Sequence, residues 1–199
     1  MDFELTETAK EVRDAARAFA ERLKPLAGAW DEAEAIPVEF LREGGRLGFF
    51  GLMVSEEHGG MGLDALSYAV AMEELARANA SYQGCLSVHN SLVCTAVQRF
   101  GTAEQKSRYL PRLAAGELIG AYSLSEPGAG SDAGSIATSA VPAGDGFSIT
   151  GAKCWVSNGG IAGLFVVFVS TSPSSGSRGI SCFLVEKGAP GFAVGRKER

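Results

Sequence analysis

Apolar residues near the start of the chain recur every three or four positions, which is the spacing of one face of an α-helix. This face carries Leu5, Val12, Ala16, Phe19, Leu23 and Leu26. Pro25 and Gly28 are predicted to end the helix. Pro37 is predicted to begin a short second helix, which Gly44 and Gly45 weaken.

Three more helices are predicted before residue 117. The first runs from an N-cap at Asp64 to Asn79. The second covers residues 82–100, and because it carries few charges for its length it should be buried on nearly all sides. A capping box at residues 102–105 begins the third, so residues 1–117 are expected to form an all-helical domain.

The pattern changes from helical to alternating after Ile119, and turn-forming pairs such as Asp145-Gly146 separate the apolar stretches. Strands are predicted at residues 119–125, 136–141, 147–150, 154–157, 164–170, 180–185 and 192–194. Short strands at this spacing are typical of an antiparallel β-barrel or sandwich. The predicted fold class is α+β, with a β-domain at residues 118–199 that is expected to be incomplete.

Composition and charge exclude several classes of protein. Hydrophobic residues make up 46% of the chain and charged residues 21%, which is too apolar a balance for a disordered protein. The net charge of −5 and the lack of a basic stripe argue against a nucleic-acid partner. The charged, amphipathic start does not resemble a signal peptide, and no apolar run reaches the roughly 18 residues of a membrane span, so a cytoplasmic protein is expected.

Residues with metal-binding or nucleophilic chemistry are few. The four cysteines and two histidines are too widely spaced for a metal site, and the cysteines are interpreted as buried free thiols. Small and polar residues of the 82–100 helix could line a ligand cleft or permit close helix packing. For His89 among them, hydrogen bonding in the core is preferred to catalysis. The glycine-rich residues 48–62 lack the GK[ST] motif of a phosphate loop.

The first candidate for chemistry is the turn segment, residues 122–132, which reads YSLSEPGAGSD. Gly128 and Gly130 lack a Cβ, so the backbone there can adopt positive φ, approach a flat ligand and present N–H groups to it. Ser125 and Ser131 add hydroxyl donors. The alternative interpretation is an ordinary Pro-Gly turn.

The second candidate is the Trp segment, residues 151–159, which reads GAKCWVSNG. On a strand, Trp155 and Ser157 would point to the same face and set an indole beside a hydroxyl. Ring stacking contributes roughly 0.5–1.5 kcal/mol, so it would not hold a cofactor alone. A core tryptophan is the alternative.

Together the two segments resemble the signature of the acyl-CoA dehydrogenases, flavoenzymes that oxidise acyl-CoA thioesters to trans-2-enoyl-CoA. The matching text is AYSLSEPGAGSDAG followed by GAKCWVSNGG, supported by MEELARANAS, FGTAEQKSRYLPRLAAGE and GISCFLVEKGAPGFAVGRKE, so that the resemblance covers essentially the whole chain. It implies FAD as cofactor, acyl-CoA as substrate, an electron-transfer flavoprotein as redox partner, a homo-oligomer, and a place in the β-oxidation of fatty acids.

The resemblance also implies site residues. Those expected to bind FAD are Tyr122, Leu124, Ser125, Gly130, Ser131, Trp155, Val156 and Ser157. Those expected to contact substrate are Gly84, Cys85, Ser87, Val88 and, through the CoA arm, Ser131. Ser157 stands where threonine is commoner and keeps the hydroxyl. Because hydride arriving at flavin N5 leaves negative charge on the opposite ring edge, the hydroxyls of Ser125 and Ser157 should matter more than the indole.

No catalytic base is assigned within the chain. In this family a carboxylate, usually glutamate, is carried on a C-terminal helical domain, which is expected to lie outside these residues. Glu126 is interpreted as a structural turn residue, and Glu73 and Glu74 as solvated charges near Arg77. The chain is therefore expected to be an inactive fragment of the enzyme, with features most like the short-chain members. The alternatives are a non-catalytic flavin- or acyl-CoA-binding or assembly module, and a related acyl-CoA oxidase or flavin monooxygenase.

Overall fold

The computed structural model describes residues 4–197 and divides the chain into two compact units, Met1–Leu118 and Ile119–Arg199. The first, the helical unit, contains α1 (Glu7–Leu23), α2 (Ala27–Glu32), α3 (Val38–Arg46), α4 (Ala65–Ala78), α5 (Ala80–Ser87), α6 (Thr95–Phe100) and α7 (Ala103–Ala114). A π-helix, Val88–Cys94, joins α5 to α6, and short 3₁₀ turns occupy Lys24–Leu26 and Glu56–His58.

The helix starts that the sequence predicts are confirmed by their capping bonds. The Asp64 carboxylate accepts a hydrogen bond from Ser67 N at 2.7 Å and begins α4, which ends at Ala78. In α7, Thr102 and Gln105 form the predicted capping box, with reciprocal bonds of 3.2 and 2.9 Å. These caps depend only on residues three apart, so local sequence suffices to identify them.

Glycines inside the early helices behave differently from the prediction. Gly28 does not end a helix but lies within α2, after the 3₁₀ turn Lys24–Leu26 that contains Pro25. In α3, Gly44 and Gly45 are buried, and a Cβ on them would collide with the Tyr82 hydroxyl and the Ala115 carbonyl oxygen. These two glycines are therefore needed for close packing, and α3 runs through them to Arg46.

The predicted helix at residues 82–100 is one helical run, but its middle is a π-helix. Within it, Asn90 donates to Phe49 O at 2.9 Å and accepts from Leu52 N at 3.1 Å, which ties the helix to the preceding loop. The predicted burial holds for most of the run, whose residues are buried or half-buried except for Leu92, Arg99 and Phe100, which are exposed.

An ion pair joins α1 to α4. Arg17 binds both carboxylate oxygens of Glu74, at 2.8 and 3.1 Å, and Glu74 is buried. The interpretation of Glu74 as a solvated charge is therefore wrong. Glu73 is exposed and pairs with Arg77 at 3.3 Å, as its helical spacing indicates.

The second unit, the sheet unit, is built on one open sheet. Its strands are β1 (Gly120–Ser123), β2 (Ser139–Ala143), β3 (Gly146–Thr150), β4 (Leu164–Ser170) and β5 (Ile180–Glu186). β4 pairs antiparallel with β5 along its length and parallel with β1, from Gly120↔Leu164 to Ser123↔Val167. At its end, Ser170 pairs with Ser139 of β2, also parallel, and β2 forms an antiparallel hairpin with β3.

The sheet is therefore mixed, and the prediction of antiparallel pairing throughout is wrong for β1–β4 and β2–β4. Roughly forty residues separate β1 from β4, which is long enough for the crossover that parallel pairing requires. Alternation along a strand shows which face is buried but not the direction of its neighbour.

Two predicted strands do not form. Residues 154–157 are a turn, in which Trp155 has φ of +53°, and residues 192–194 carry no strand. The inference that Trp155 and Ser157 share a strand face is therefore wrong. The core of the sheet unit contains Ala121, Ala140, Ala162, Phe165, Val167 and Val169. No helix within residues 4–197 is both long and apolar enough to cross a membrane.

Candidate functional site

The turn segment leaves the end of β1 and folds back on itself within four residues. Glu126 N donates to Ala129 O at 2.9 Å, and Ala129 N donates to Glu126 O at 3.1 Å, with Pro127 and Gly128 at the tip. Neither Gly128 nor Gly130 has the positive φ that the sequence analysis allowed, and a Cβ on either would meet nothing within 4 Å. The glycines thus leave the backbone of the turn uncovered.

The carboxylate of Glu126 points inward and is only 6% exposed. It accepts hydrogen bonds from Ala137 N at 2.7 Å, Thr138 N at 3.0 Å and Lys153 Nζ at 2.6 Å. Burial acts to raise the pKa of Glu126, but the bonds from Lys153, Thr138 and Ala137 together outweigh it and lower the pKa to about 2. A carboxylate held ionised in this way is a weak proton acceptor, which agrees with its interpretation as a structural turn residue.

The Trp segment lies against the turn segment. Lys153 Nζ donates to Leu124 O at 3.0 Å, and Cys154 N donates to Ser125 O at 2.9 Å. Gly151, with φ of +151°, begins the segment where a Cβ would collide with the side chain of Thr138. The two candidate segments are thus brought together in the structure, although 27 to 29 positions separate the bonded residues in the sequence.

Trp155 follows Lys153 and Cys154 in an unusual conformation. Positive φ in a bulky residue costs of order 1–3 kcal/mol and persists only where its surroundings impose it. The indole is 71% exposed, so the alternative of a core tryptophan is wrong. Asn158, with φ of +66°, anchors the end of the turn by donating to Gly120 O at 3.0 Å.

Both segments carry donors that no other group among the described residues uses. Within residues 4–197, the hydroxyls of Ser125, Ser131 and Ser157 make no hydrogen bond. In the same part of the chain, the amides of Gly130, Ser131 and Ser157 do not donate to another backbone group. A flat ring with several acceptor atoms, such as a flavin, matches this donor set, so the residues present fit the cofactor that the sequence indicates.

The remaining predicted cofactor residues are partly covered. Tyr122 is half-buried with its ring 4.9 Å from that of Phe168, and burial raises its pKa. Leu124 is half-buried, and Val156 packs against the core of the sheet unit.

The predicted substrate residues belong to the helical unit. Gly84, Cys85 and Ser87 lie on α5, and Val88 is the first residue of the π-helix. The Tyr68 hydroxyl bonds the Ser87 hydroxyl at 3.3 Å, and burial raises the pKa of the Cys85 thiol to about 12. A Cβ on Gly84 would meet nothing within 4 Å.

His89 lies in the core, as the preferred interpretation expects. Its Nε2 lies 3.1 Å from Leu113 O, and its ring packs edge-on against Phe50 with centroids 5.0 Å apart. Burial lowers its pKa to about 4, so the imidazole is neutral at pH 7. Among the described residues no group of three or more His, Cys, Asp or Glu could hold a metal ion.

Lys153 is the residue at this site that the sequence analysis missed. Its side chain is only 9% exposed and binds both Leu124 O and Glu126. The signal available was a lysine among small and apolar residues, immediately before a Cys-Trp pair. Lysine is rarely buried without a partner, so this context predicts a buried ion pair but not which carboxylate completes it.

The chain is similar to known proteins in its domains, its sequence and its structure. Residues 6–117 match the acyl-CoA dehydrogenase N-terminal domain and residues 121–199 match the acyl-CoA dehydrogenase middle domain. A relative from Clostridium acetobutylicum, described as a short-chain specific acyl-CoA dehydrogenase, is 45% identical over 200 residues, covering 100% of this chain and 53% of its own.

Solved structures give a similar picture. A chain in the structure described as the electron transferring flavoprotein of Acidaminococcus fermentans has a TM-score of 0.97 and 42% identity, covering 100% of this chain and 53% of its own. Glutaryl-CoA dehydrogenase from Mycobacterium smegmatis in complex with FADH2 has a TM-score of 0.91 and 34% identity, covering 98% and 49%. The chain thus spans about half the length of the proteins that it matches.

Proposed function

Because the chain belongs to the acyl-CoA dehydrogenase family, we propose that it carries the flavin-binding part of an enzyme that oxidises acyl-CoA thioesters to trans-2-enoyl-CoA. FAD, when bound, accepts the hydride that leaves the substrate. The chain's own contribution is to hold and orient the ring through Tyr122, Leu124, Ser125, Gly130, Ser131, Trp155, Val156 and Ser157.

The observation that carries this proposal is the pair of joined segments with their unused donors. Ser125 and Ser131 lie on one segment and Ser157 on the other, and the Cys154 N to Ser125 O bond of 2.9 Å holds the segments side by side. Fixed N–H and O–H donors stabilise negative charge that develops on a ligand, and one such donor contributes about 10²- to 10³-fold in rate in other enzymes. The structure of the relative with FADH2 supports a flavin as that ligand.

The proposed substrate is a short-chain acyl-CoA, which the relative described as short-chain specific supports. Gly84, Cys85, Ser87 and Val88 would contact the acyl group, and Ser131 the CoA arm. The redox partner proposed from the family is an electron-transfer flavoprotein, supported by the A. fermentans match. The proposal also includes a homo-oligomer, a closed barrel or sandwich in the intact β-domain, and a catalytic base outside residues 1–199.

The test uses the full product of the gene, purified and assayed for bound FAD by absorbance. We expect about one FAD per chain, and bleaching of the flavin when butyryl-CoA is added without oxygen. A gene product that binds no flavin would refute the proposed function. In parallel, residues 1–199 alone should bind FAD weakly or not at all and should not oxidise butyryl-CoA, so dye reduction by this pure chain would refute the placement of the base elsewhere.

A further inference from the structure

A buried ion pair joins the two segments of the candidate site. Lys153 donates from one Nζ to Glu126 Oε1 at 2.6 Å and to Leu124 O at 3.0 Å. The carboxylate of Glu126 also accepts from Thr138 N on the same oxygen, at 3.0 Å, and from Ala137 N on Oε2, at 2.7 Å. We name this arrangement of Glu126, Lys153 and Leu124 O the Glu126–Lys153 clamp.

The clamp connects three stretches of chain that are distant in sequence. Glu126 belongs to the turn segment, Lys153 to the Trp segment, and residues 137–138 to the approach to β2. Lys153 and Cys154, which are consecutive, bind the consecutive carbonyls of Leu124 and Ser125. This pattern fixes the register of one segment against the other, because a slip by one residue would break both bonds and leave the Glu126 charge unpaired.

The clamp lies next to the residues that carry the unused donors. Ser125 lies between the two residues that Lys153 binds, and Trp155 is only two residues beyond Lys153. Trp155, with its positive φ, comes directly after Cys154, whose amide donates to Ser125 O. The side chains of Lys153 and Glu126 are themselves only 9% and 6% exposed, so they are not available to a ligand on the surface of the turn.

We propose that Glu126 and Lys153 are positioning residues for the flavin ring. They hold Ser125 and residues 155–157 at the spacing that the ring requires, and because their charges cancel they add no net charge beside it. This inference rests on the proposed function, since it presupposes that the two segments bind FAD.

The test compares three variants of the FAD-loaded full gene product. Lys153→Met removes the cation with little change in length, and Glu126→Gln removes the anion while keeping an acceptor oxygen. Glu74→Gln is the control, because Glu74 is a buried carboxylate that also pairs with a cation, the partly exposed Arg17, but lies in the helical unit. The measurements are the dissociation constant of FAD, the fluorescence of the bound flavin, and its reduction potential.

We expect Lys153→Met and Glu126→Gln to weaken FAD binding roughly 10- to 100-fold, because the two segments are then no longer held in the arrangement that binds the ring. Flavin fluorescence should rise in both, because the indole of Trp155 is no longer held against the ring. The reduction potential should fall in Lys153→Met, which leaves an unpaired anion, and rise in Glu126→Gln, which leaves an unpaired cation. Glu74→Gln should change none of the three.

Several outcomes would overturn the inference. If both variants bind FAD with the affinity and fluorescence of the parent, Glu126 and Lys153 are not positioning residues. If Glu74→Gln causes equal changes, the effect is general destabilisation of the protein. If the reduction potential of the flavin shifts in the same direction in both variants, the inference that the two charges cancel beside the ring is wrong. If Lys153→Met does not fold, Glu126→Gln alone decides by the same criteria. A parent protein without FAD refutes the proposed function itself, so the two failures are distinguishable.

Discussion

His89 should make the stability of the helical unit depend on pH. The imidazole is fully buried, and burial lowers its pKa from about 6.5 in the unfolded chain to about 4 in the folded one. A group whose folded pKa is depressed contributes stability that is present above its unfolded pKa and is lost as pH falls towards the folded value. The window for this loss is therefore pH 6.5 to 4.

The size of the effect follows from the two pKa values. At pH 5 the unfolded imidazole is almost fully protonated and the folded one is not, which destabilises the unit by about 2 kcal/mol relative to pH 7.5, and the loss approaches about 3 kcal/mol below pH 4.

The assay is denaturant unfolding at pH 7.5 and pH 5, in parent and in His89→Gln. Gln retains a donor for Leu113 O but does not titrate. Buried Trp30 reports on the helical unit, and a Trp155→Phe background removes the other of the two tryptophans. Subtracting the pH dependence of His89→Gln cancels the contributions of the other titrating groups.

The parent should lose about 2 kcal/mol more than His89→Gln between pH 7.5 and pH 5. A difference below about 0.5 kcal/mol would refute the argument, because it would mean that the folded imidazole gains its proton at the ordinary pH. A difference of the opposite sign would mean that the backbone hydrogen bonds to the ring, at Leu113 and Phe50, outweigh the effect of burial on its pKa.

Three further substitutions test packing and the site. Gly45→Ala places a methyl group against a backbone carbonyl oxygen, so it should destabilise the helical unit by roughly 1–3 kcal/mol in thermal or denaturant unfolding. Gly28→Ala, at an open helical position, is the control and should leave the stability unchanged or raise it by up to about 1 kcal/mol. Equal effects of the two substitutions would contradict the packing argument. Gly151→Ala should be destabilising by about 1–3 kcal/mol because its φ of +151° disfavours a side chain and a threonine fills the space, which circular dichroism melting of the sheet unit would detect. In the FAD-loaded enzyme, Ser125→Ala should slow flavin reduction by about 10²-fold or more in stopped flow while changing acyl-CoA affinity far less, and the reverse pattern would remove its assigned role.

The sequence alone was sufficient to predict the features that depend only on residues close together in the chain. The cap at Asp64 and the capping box at Thr102 and Gln105 form as predicted, because each needs only residues a turn apart. A continuous apolar run located β4, whose bounds are those predicted. The signature in the turn and Trp segments pointed to a family whose domains cover residues 6–117 and 121–199.

The tertiary structure decided what depends on partners distant in sequence. The buried state of Glu74 needs Arg17, 57 positions away, and the low pKa of Glu126 needs Lys153, 27 positions away. The parallel pairing of β1 with β4 depends on a crossover that neither strand encodes. The spacing of hydrophobic residues shows which face of a helix or strand is buried. Only tertiary packing decides which element covers that face and which buried charges form pairs. The conformation of Trp155 and the Glu126–Lys153 clamp beside it could therefore not be predicted from either segment alone.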